Sequence, residues 1–296
     1  MKQIFTTLTI LLVCILNGQD NKTLQFFQTN WGNELSWDAF CERTKKSGYD
    51  GIEIWFPSNP ESQTLLKAAL TKHQLKVAFL NGTNRSLPFP EGLKAYENHF
   101  KTLISWNPAY INCHTGSEFF TFEQNKALID VANKISKAHN VPIYHETHRG
   151  RFSFNLPDTN KYLKAIPDLK LTLDISHWMV VHESLLEGKD DLLKDVLQKS
   201  KHIHARVGHA EGPQVNDPQA PEWKKALDRH LDLWETIINN EWRNGRSVYT
   251  ITTEFGPPDY LPTLPFTRVP VTDQWKANVF IMDALKNRMS LNNTSN

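Results

Sequence analysis

Leu169-Lys170-Leu171-Thr172-Leu173-Asp174-Ile175-Ser176-His177 is a short apolar and β-branched run that turns polar at its end. Such a run reads as a buried strand, expected here over Leu169–Ile175, and the segment behind it can form a returning helix. The next run, His202-Ile203-His204-Ala205-Arg206-Val207, repeats the pattern. Outward from this pair the same alternation recurs. Strands are expected at Leu24–Thr29, Gly51–Trp55, Leu75–Leu80, Ala109–Cys113, Val141–Glu146 and Val248–Glu254, which brings the total to eight. Ser36-Trp37-Asp38 opens the first helix, Asn59-Pro60-Glu61 the second, and Thr121-Phe122-Glu123-Gln124 has the form of a capping box for the fourth. Gly48 and Gly188 stand where a helix end or turn needs a residue tolerant of positive φ. Eight βα units predict an α/β fold, a closed (β/α)8 TIM barrel in a single domain. No Gly-x-Gly-x-x-Gly follows the first strand, which argues against a doubly wound open sheet.

The composition agrees. At 296 residues, 40% hydrophobic and 22% charged, the chain is long enough for one large core. Its 33 basic and 32 acidic side chains leave a net charge of +1, which opposes a general nucleic-acid surface. The start, Met1-Lys2-Gln3 followed by an apolar run from Ile4 to Leu16 and then Asn17-Gly18-Gln19-Asp20, has the form of a secretory signal peptide over residues 1–19. A barrel domain over residues 20–296 would then be exported, to a periplasm or the medium. The run falls short of the roughly 20 apolar residues of a membrane span, so no stable membrane insertion is expected. Lipidation at Cys14 is the lesser alternative, because Leu12-Val13 supplies no small residue before it. With Cys41 and Cys113 the only other cysteines, a disulfide scaffold is excluded.

The polar residues at the ends of strands five to eight carry the chemistry. They are Glu146, Asp174, His204 and Glu254, separated by 28, 30 and 50 residues. One βα unit of a barrel takes roughly 30 residues, so these gaps match one unit each, the last stretched by a long loop. All four side chains then converge at the C-terminal mouth. Three carboxylates and an imidazole there repel unless neutralised, and one divalent cation (Mn, Co, Mg or Zn) suits an oxygen-rich set with one nitrogen. The plain alternative is four unrelated polar caps.

Gly48-Tyr49-Asp50-Gly51-Ile52-Glu53-Ile54, His145-Glu146-Thr147-His148, Leu173-Asp174-Ile175-Ser176-His177 and His202-Ile203-His204 resemble motifs of the xylose isomerase-like barrel superfamily over residues 24–288. That group includes sugar isomerases, epimerases, dehydratases and the endonuclease IV branch. The resemblance implies that Glu146, Asp174, His204 and Glu254 hold one metal and that His177 touches a substrate hydroxyl. It also implies a sugar isomerase or epimerase in which Glu146 and Glu254 are the catalytic bases, removing and returning a proton next to a carbonyl of a small carbohydrate. It further implies pairing into a homodimer. Two departures stand out. Phe152 occupies the place of a second Glu usual in ketose epimerases, and Arg206 follows His204 by only two residues, on the same strand face. The same metal and base also suit a 3-keto-glycoside lyase or hydrolase; an endonuclease IV-like phosphodiesterase and a non-catalytic sugar-binding protein are the more distant readings.

Further candidates for substrate contact are His114 at the end of strand four, Glu53 at the end of strand two, which could equally support another site residue from behind, Arg149 in the crowded His148–Arg151 loop, and Arg206. Trp31, Trp55 and Trp178 follow strand ends and suit stacking on a sugar face, whereas Trp37, Trp106, Trp234 and Trp242 fall in helical segments and suit packing. The long loops Gly208–Pro221, with His209 and Glu211, and Phe255–Val271 are candidates for functional covers.

Overall fold

Residues 22–293 are described by a computed structural model; the leader expected at residues 1–19, with Cys14, lies outside the described residues. The chain alternates β1 (Thr23–Thr29), α1 (Trp37–Lys46), β2 (Gly51–Trp55), α2 (Pro60–His73), β3 (Lys76–Gly82), α3 (Phe89–Ile104), β4 (Ile111–His114) and α4 (Phe122–His139). It continues through β5 (Ile143–Glu146), α5 (Leu156–Ala165), β6 (Leu171–Leu173), α6 (Ser176–Val181), α7 (Asp190–Lys199), β7 (Ser200–Ala205), α8 (Lys224–Arg243), β8 (Val248–Thr253) and α9 (Gln274–Asn293). The eight strands pair in parallel in sequence order, and β1 closes on β8 in a register running from Thr23↔Val248 to Gln28↔Thr253. The expected (β/α)8 barrel is the observed fold.

Local chemistry sets the boundaries. Ser36, Asn59 and Thr121 accept backbone N–H bonds at the starts of α1, α2 and α4, and Thr121 and Gln124 complete the reciprocal capping box. Strand β6 is shorter than expected. Asp174 leaves the ladder to exchange bonds with Thr147, whose hydroxyl donates to Asp174 O and accepts from Asp174 N, both at 2.9 Å. The Asp174 carboxylate then accepts from Ser176 N at 3.0 Å, a local turn that starts α6 at once. Trp106 lies just beyond α3 rather than inside a helix, and packs edge-on to Phe56 at 5.4 Å.

Most apolar burial lies between the strands and the helical ring, as in other barrels. The barrel interior is layered by the two-residue strand period. Its floor is aromatic: Tyr110 meets Phe27 at 5.1 Å, Tyr144 at 6.0 Å and His202 at 4.2 Å between ring centroids. Gly51 makes room for it, because a Cβ there would lie 2.5 Å from the Phe27 ring. Two residues further along the strands come Asn112, Glu146, His204 and Thr252, and above them His114, Arg206 and Glu254. The floor thus presents a dry base beneath a polar mouth.

Candidate metal centre

His204 is the hub. Its Nδ1 lies 2.9 Å from Glu254 Oε2 and 3.4 Å from Glu146 Oε2, while its Nε2 lies 2.7 Å from Glu53 Oε1. Glu146 Oε2 also accepts from Asn112 Nδ2 at 2.8 Å, and His114 Nε2 stands 2.9 Å away but out of line for a hydrogen bond. Glu146 Oε1 is buried without any partner. Burial opposes ionisation of Glu146, but the imidazoles of His114 and His204 outweigh it and hold this carboxyl well below its ordinary range. Burial likewise opposes charge on His204, yet Glu53, Glu254 and Glu146 together push its pKa well above that of a free imidazole.

Donor atoms of Glu146, His204 and Glu254 all lie within 4.8 Å of one another. These residues fit a divalent cation on three counts. Four carboxylates (Glu53, Glu146, Asp174, Glu254) outnumber the charges of Arg206 and a protonated His204. Glu146 keeps an orphaned oxygen. Glu53 Oε1 lies 2.7 Å from His204 Nε2, behind the ring from Glu146 and Glu254, in the place where a carboxylate usually supports a ligand histidine.

Asp174 departs from the expected four-ligand set. Its Oδ2 is taken by Arg206 Nη2, and its Oδ1 accepts from Ser176 N and Oγ. The buried guanidinium of Arg206 also donates to His177 Nε2 at 2.7 Å and to Ser176 Oγ at 3.1 Å, and covers the Tyr260 ring at 4.7 Å. Burial works against charge on Arg206, but Asp174 and Glu254 raise its pKa above the ordinary value. An arginine two residues beyond His204 therefore neutralises the carboxylate that spacing alone assigns to the metal.

The mouth encloses a cavity of about 440 Å3 lined by Trp31, Trp55, His114, His148, Arg206, Glu254 and Tyr260, with Thr29, Asn30, Gly32 and Leu80. His114, Arg206, Trp31 and Trp55 thus stand where substrate contact is expected. Three other candidates do not. Glu53 is 1% exposed and lies beneath His204, within ion-pair distance of its Nε2, and accepts from the Thr252 hydroxyl. Trp178 is fully buried because α6 turns it inward, where its indole N–H donates to Ser153 O at 2.8 Å. His177 is fully buried too, its ring 3.8 Å from that of His148. Arg149 reaches the rim, its Nη2 donating to Tyr260 OH at 3.1 Å. Tyr260 itself went unnoticed in the sequence, since it lies in an aperiodic loop whose length was the sole signal. A second depression, about 930 Å3, opens at the opposite end of the barrel around Lys67, Lys76, Tyr144 and Arg246, but it contains none of the clustered donors.

The support role of Glu53 is testable. Glu53→Gln is expected to weaken divalent-metal affinity about 10–100-fold, measured by competition with a chelating dye. Unchanged affinity would remove Glu53 from that role.

The model of one family, described as xylose isomerase-like TIM barrel, matches residues 41–242. No protein with a curated description matches significantly. Among solved structures, the apo form of a 3-keto-D-glucoside 4-epimerase from E. coli superposes with a TM-score of 0.60 at 16% identity, covering 90% of this chain and 100% of that one. A probable 3-DHS dehydratase involved in petrobactin synthesis, from Bacillus anthracis, gives 0.58 at 15% identity, with 90% and 100% covered. A xylose isomerase-like TIM barrel protein from Mycobacterium smegmatis in complex with magnesium gives 0.54 at 9% identity, with 89% and 97% covered.

Proposed function

The chain belongs to the xylose isomerase-like TIM barrel family, and on that premise we propose that it is a divalent-metal-dependent enzyme removing a proton next to a carbonyl of a small carbohydrate. The observation that carries this reading is the approach of Glu146 and Glu254, from β5 and β8, to the single Nδ1 of His204. Glu146, His204 and Glu254 would hold the metal, Mn, Co, Mg or Zn, which when bound polarises a carbonyl and acidifies the neighbouring C–H.

The chain's own residues do the rest. Glu146 Oε1 and the Glu254 carboxylate are the candidate acceptors: one takes the proton, and the other, entering as the carboxylic acid, delivers a solvent-derived proton to the opposite face and inverts the carbon. Arg206, pinned by Asp174 and His177, sets one wall. Trp31, Trp55 and Tyr260 offer apolar faces to a sugar ring, and the aromatic floor excludes water from below. Export is part of the same proposal, tested by sequencing the N-terminus of the mature protein.

The test is metal content beside deuterium exchange. About one divalent ion per chain, lost in His204→Ala, together with uptake of solvent deuterium into a sugar without loss of a substituent, supports isomerisation or epimerisation. Release of an aglycone would assign the same metal and base to elimination. Three zinc ions would favour the phosphodiesterase reading, and no retained metal after reconstitution would overturn the metal-dependent one.

A further inference from the structure

Three arginines stand at the rim without a carboxylate partner. Arg85 lies on the loop after β3, Arg149 and Arg151 on the loop after β5. Among the described residues, arginine ion pairs within 4.0 Å involve Arg206, Arg229, Arg246, Arg268 and Arg288, and none of these three. Arg85 Nη1 and Arg151 Nη1 instead donate to one and the same oxygen, Gly150 O, at 3.0 and 3.2 Å. Two guanidinium groups converging on one neutral acceptor repel, and nothing within ion-pair reach offsets this. Arg151 Nη2 approaches His114 Nδ1 at 3.3 Å, and Arg151 Nε is buried with no partner at all. Burial and then the charge of Arg85 both lower the pKa of Arg151, and the opposing charges of Glu146, Tyr260 and Glu118 do not outweigh them. Arg149 bonds the Tyr260 hydroxyl, and His114 and Tyr260 both line the cavity.

We propose that Arg85 and Arg151 form a subsite for an oxyanion carried by the substrate, which makes that substrate an anionic sugar. This rests on the carbohydrate reading above. Glu146 and Glu254 around His204 repel an anion, whereas the rim between the β3 and β5 loops supplies N–H donors in the planar forks that match carboxylate and phosphate oxygens. The substrate is thereby oriented, its anion at this rim and its carbonyl toward Glu146 and Glu254. A uronate-type carboxylate and a phosphate monoester share this chemistry.

The experiment is calorimetric binding of D-glucuronate, D-glucose 6-phosphate, D-glucose and inorganic phosphate to the metal-loaded protein, to Arg85→Gln and to Arg85→Gln/Arg151→Gln. Arg85 is exposed, so the single variant keeps the test valid where the double fails to fold. The anionic sugars are expected to bind about tenfold or more tightly than D-glucose. Arg85→Gln should narrow that gap and the double variant close it, with D-glucose binding unchanged. Tighter binding of the uronate assigns a carboxylate, and of the sugar phosphate a phosphate. Equal binding of charged and neutral sugars, or a gap that survives both variants, overturns the subsite. Binding of inorganic phosphate that depends on Arg85, with no sugar bound, sinks the carbohydrate reading and leaves the subsite standing. No binding of any probe overturns both.

Discussion

Glu254→Gln is expected to lower turnover by about 10²–10⁴-fold while the barrel still folds, the range spanned by a lost general acid or base. Glutamine keeps the shape of the side chain but cannot accept the proton, and it is a poorer metal donor than a carboxylate. The fold should tolerate the change for local reasons. Glu254 sits at the mouth just past the end of β8, and its backbone bond, N–H to Ala205 O at 3.2 Å, is untouched. His204 loses one anionic neighbour but keeps Glu53 at 2.7 Å on its other nitrogen. Glu146 makes a poorer probe, because an amide there could place its N–H₂ against the Asn112 donor and beside His114. The check is the initial rate of deuterium exchange, with near-UV circular dichroism to confirm native packing. Full activity in Glu254→Gln would remove this residue from both the base and the ligand roles.

Arg206 shows where spacing stops being informative. The gaps of 28, 30 and 50 residues bring Glu146, Asp174, His204 and Glu254 to one mouth, and the two-residue strand period places Arg206 above His204. Period and spacing are properties of the backbone, so the barrel and the convergence were legible. Which carboxylate the guanidinium would take depends on side-chain reach, and it takes Asp174 rather than Glu254, whose Oε2 lies 3.9 Å from Nη2. Depth was equally hidden. Glu53 and His204 belong to neighbouring levels of the interior, so of the two places the sequence allows this acid, the cavity wall or behind another site residue, the structure has the second, 2.7 Å from His204 Nε2. Trp178 reads as exposed because it follows a strand end, yet α6 begins at Ser176 and buries it. Tyr260 and Arg85 come from loops without periodicity, where a sequence announces length and little else.

Acidification from pH 6.5 to 4.5 is expected to withdraw several kcal/mol of the stability of the metal-free fold through His145 and His230, two of its histidines that are buried neutral, against a smaller opposing gain as Asp174, pushed up to about 6, takes up a proton. Burial pushes His145 down to about 3 and His230 down to about 4. The geometry agrees with neutral rings. His230 Nδ1 donates to Ala226 O at 2.8 Å while Nε2 accepts from Gly208 N at 3.2 Å, and His145 Nε2 is buried with no partner to share a second proton. Both folded values lie below that of a free imidazole, so their contribution is fully present above pH 6.5. Below that pH the unfolded chain takes up protons that the native state refuses, until the folded values are reached. Each histidine then removes about 1.4 kcal/mol of stability per pH unit, roughly 5 kcal/mol for the pair by pH 4.5. Against a typical total of about 5–15 kcal/mol, that is enough to move the urea midpoint strongly. Urea unfolding at pH 7.5, 6.0, 5.0 and 4.5 measures the slope. His230→Gln, whose amide oxygen can still accept from Gly208 N, should reduce the slope by one histidine's share. An identical slope in His230→Gln and in the unmodified protein would mean that the His230 ring takes up a proton as readily folded as unfolded, against the closed bonding of both its nitrogens.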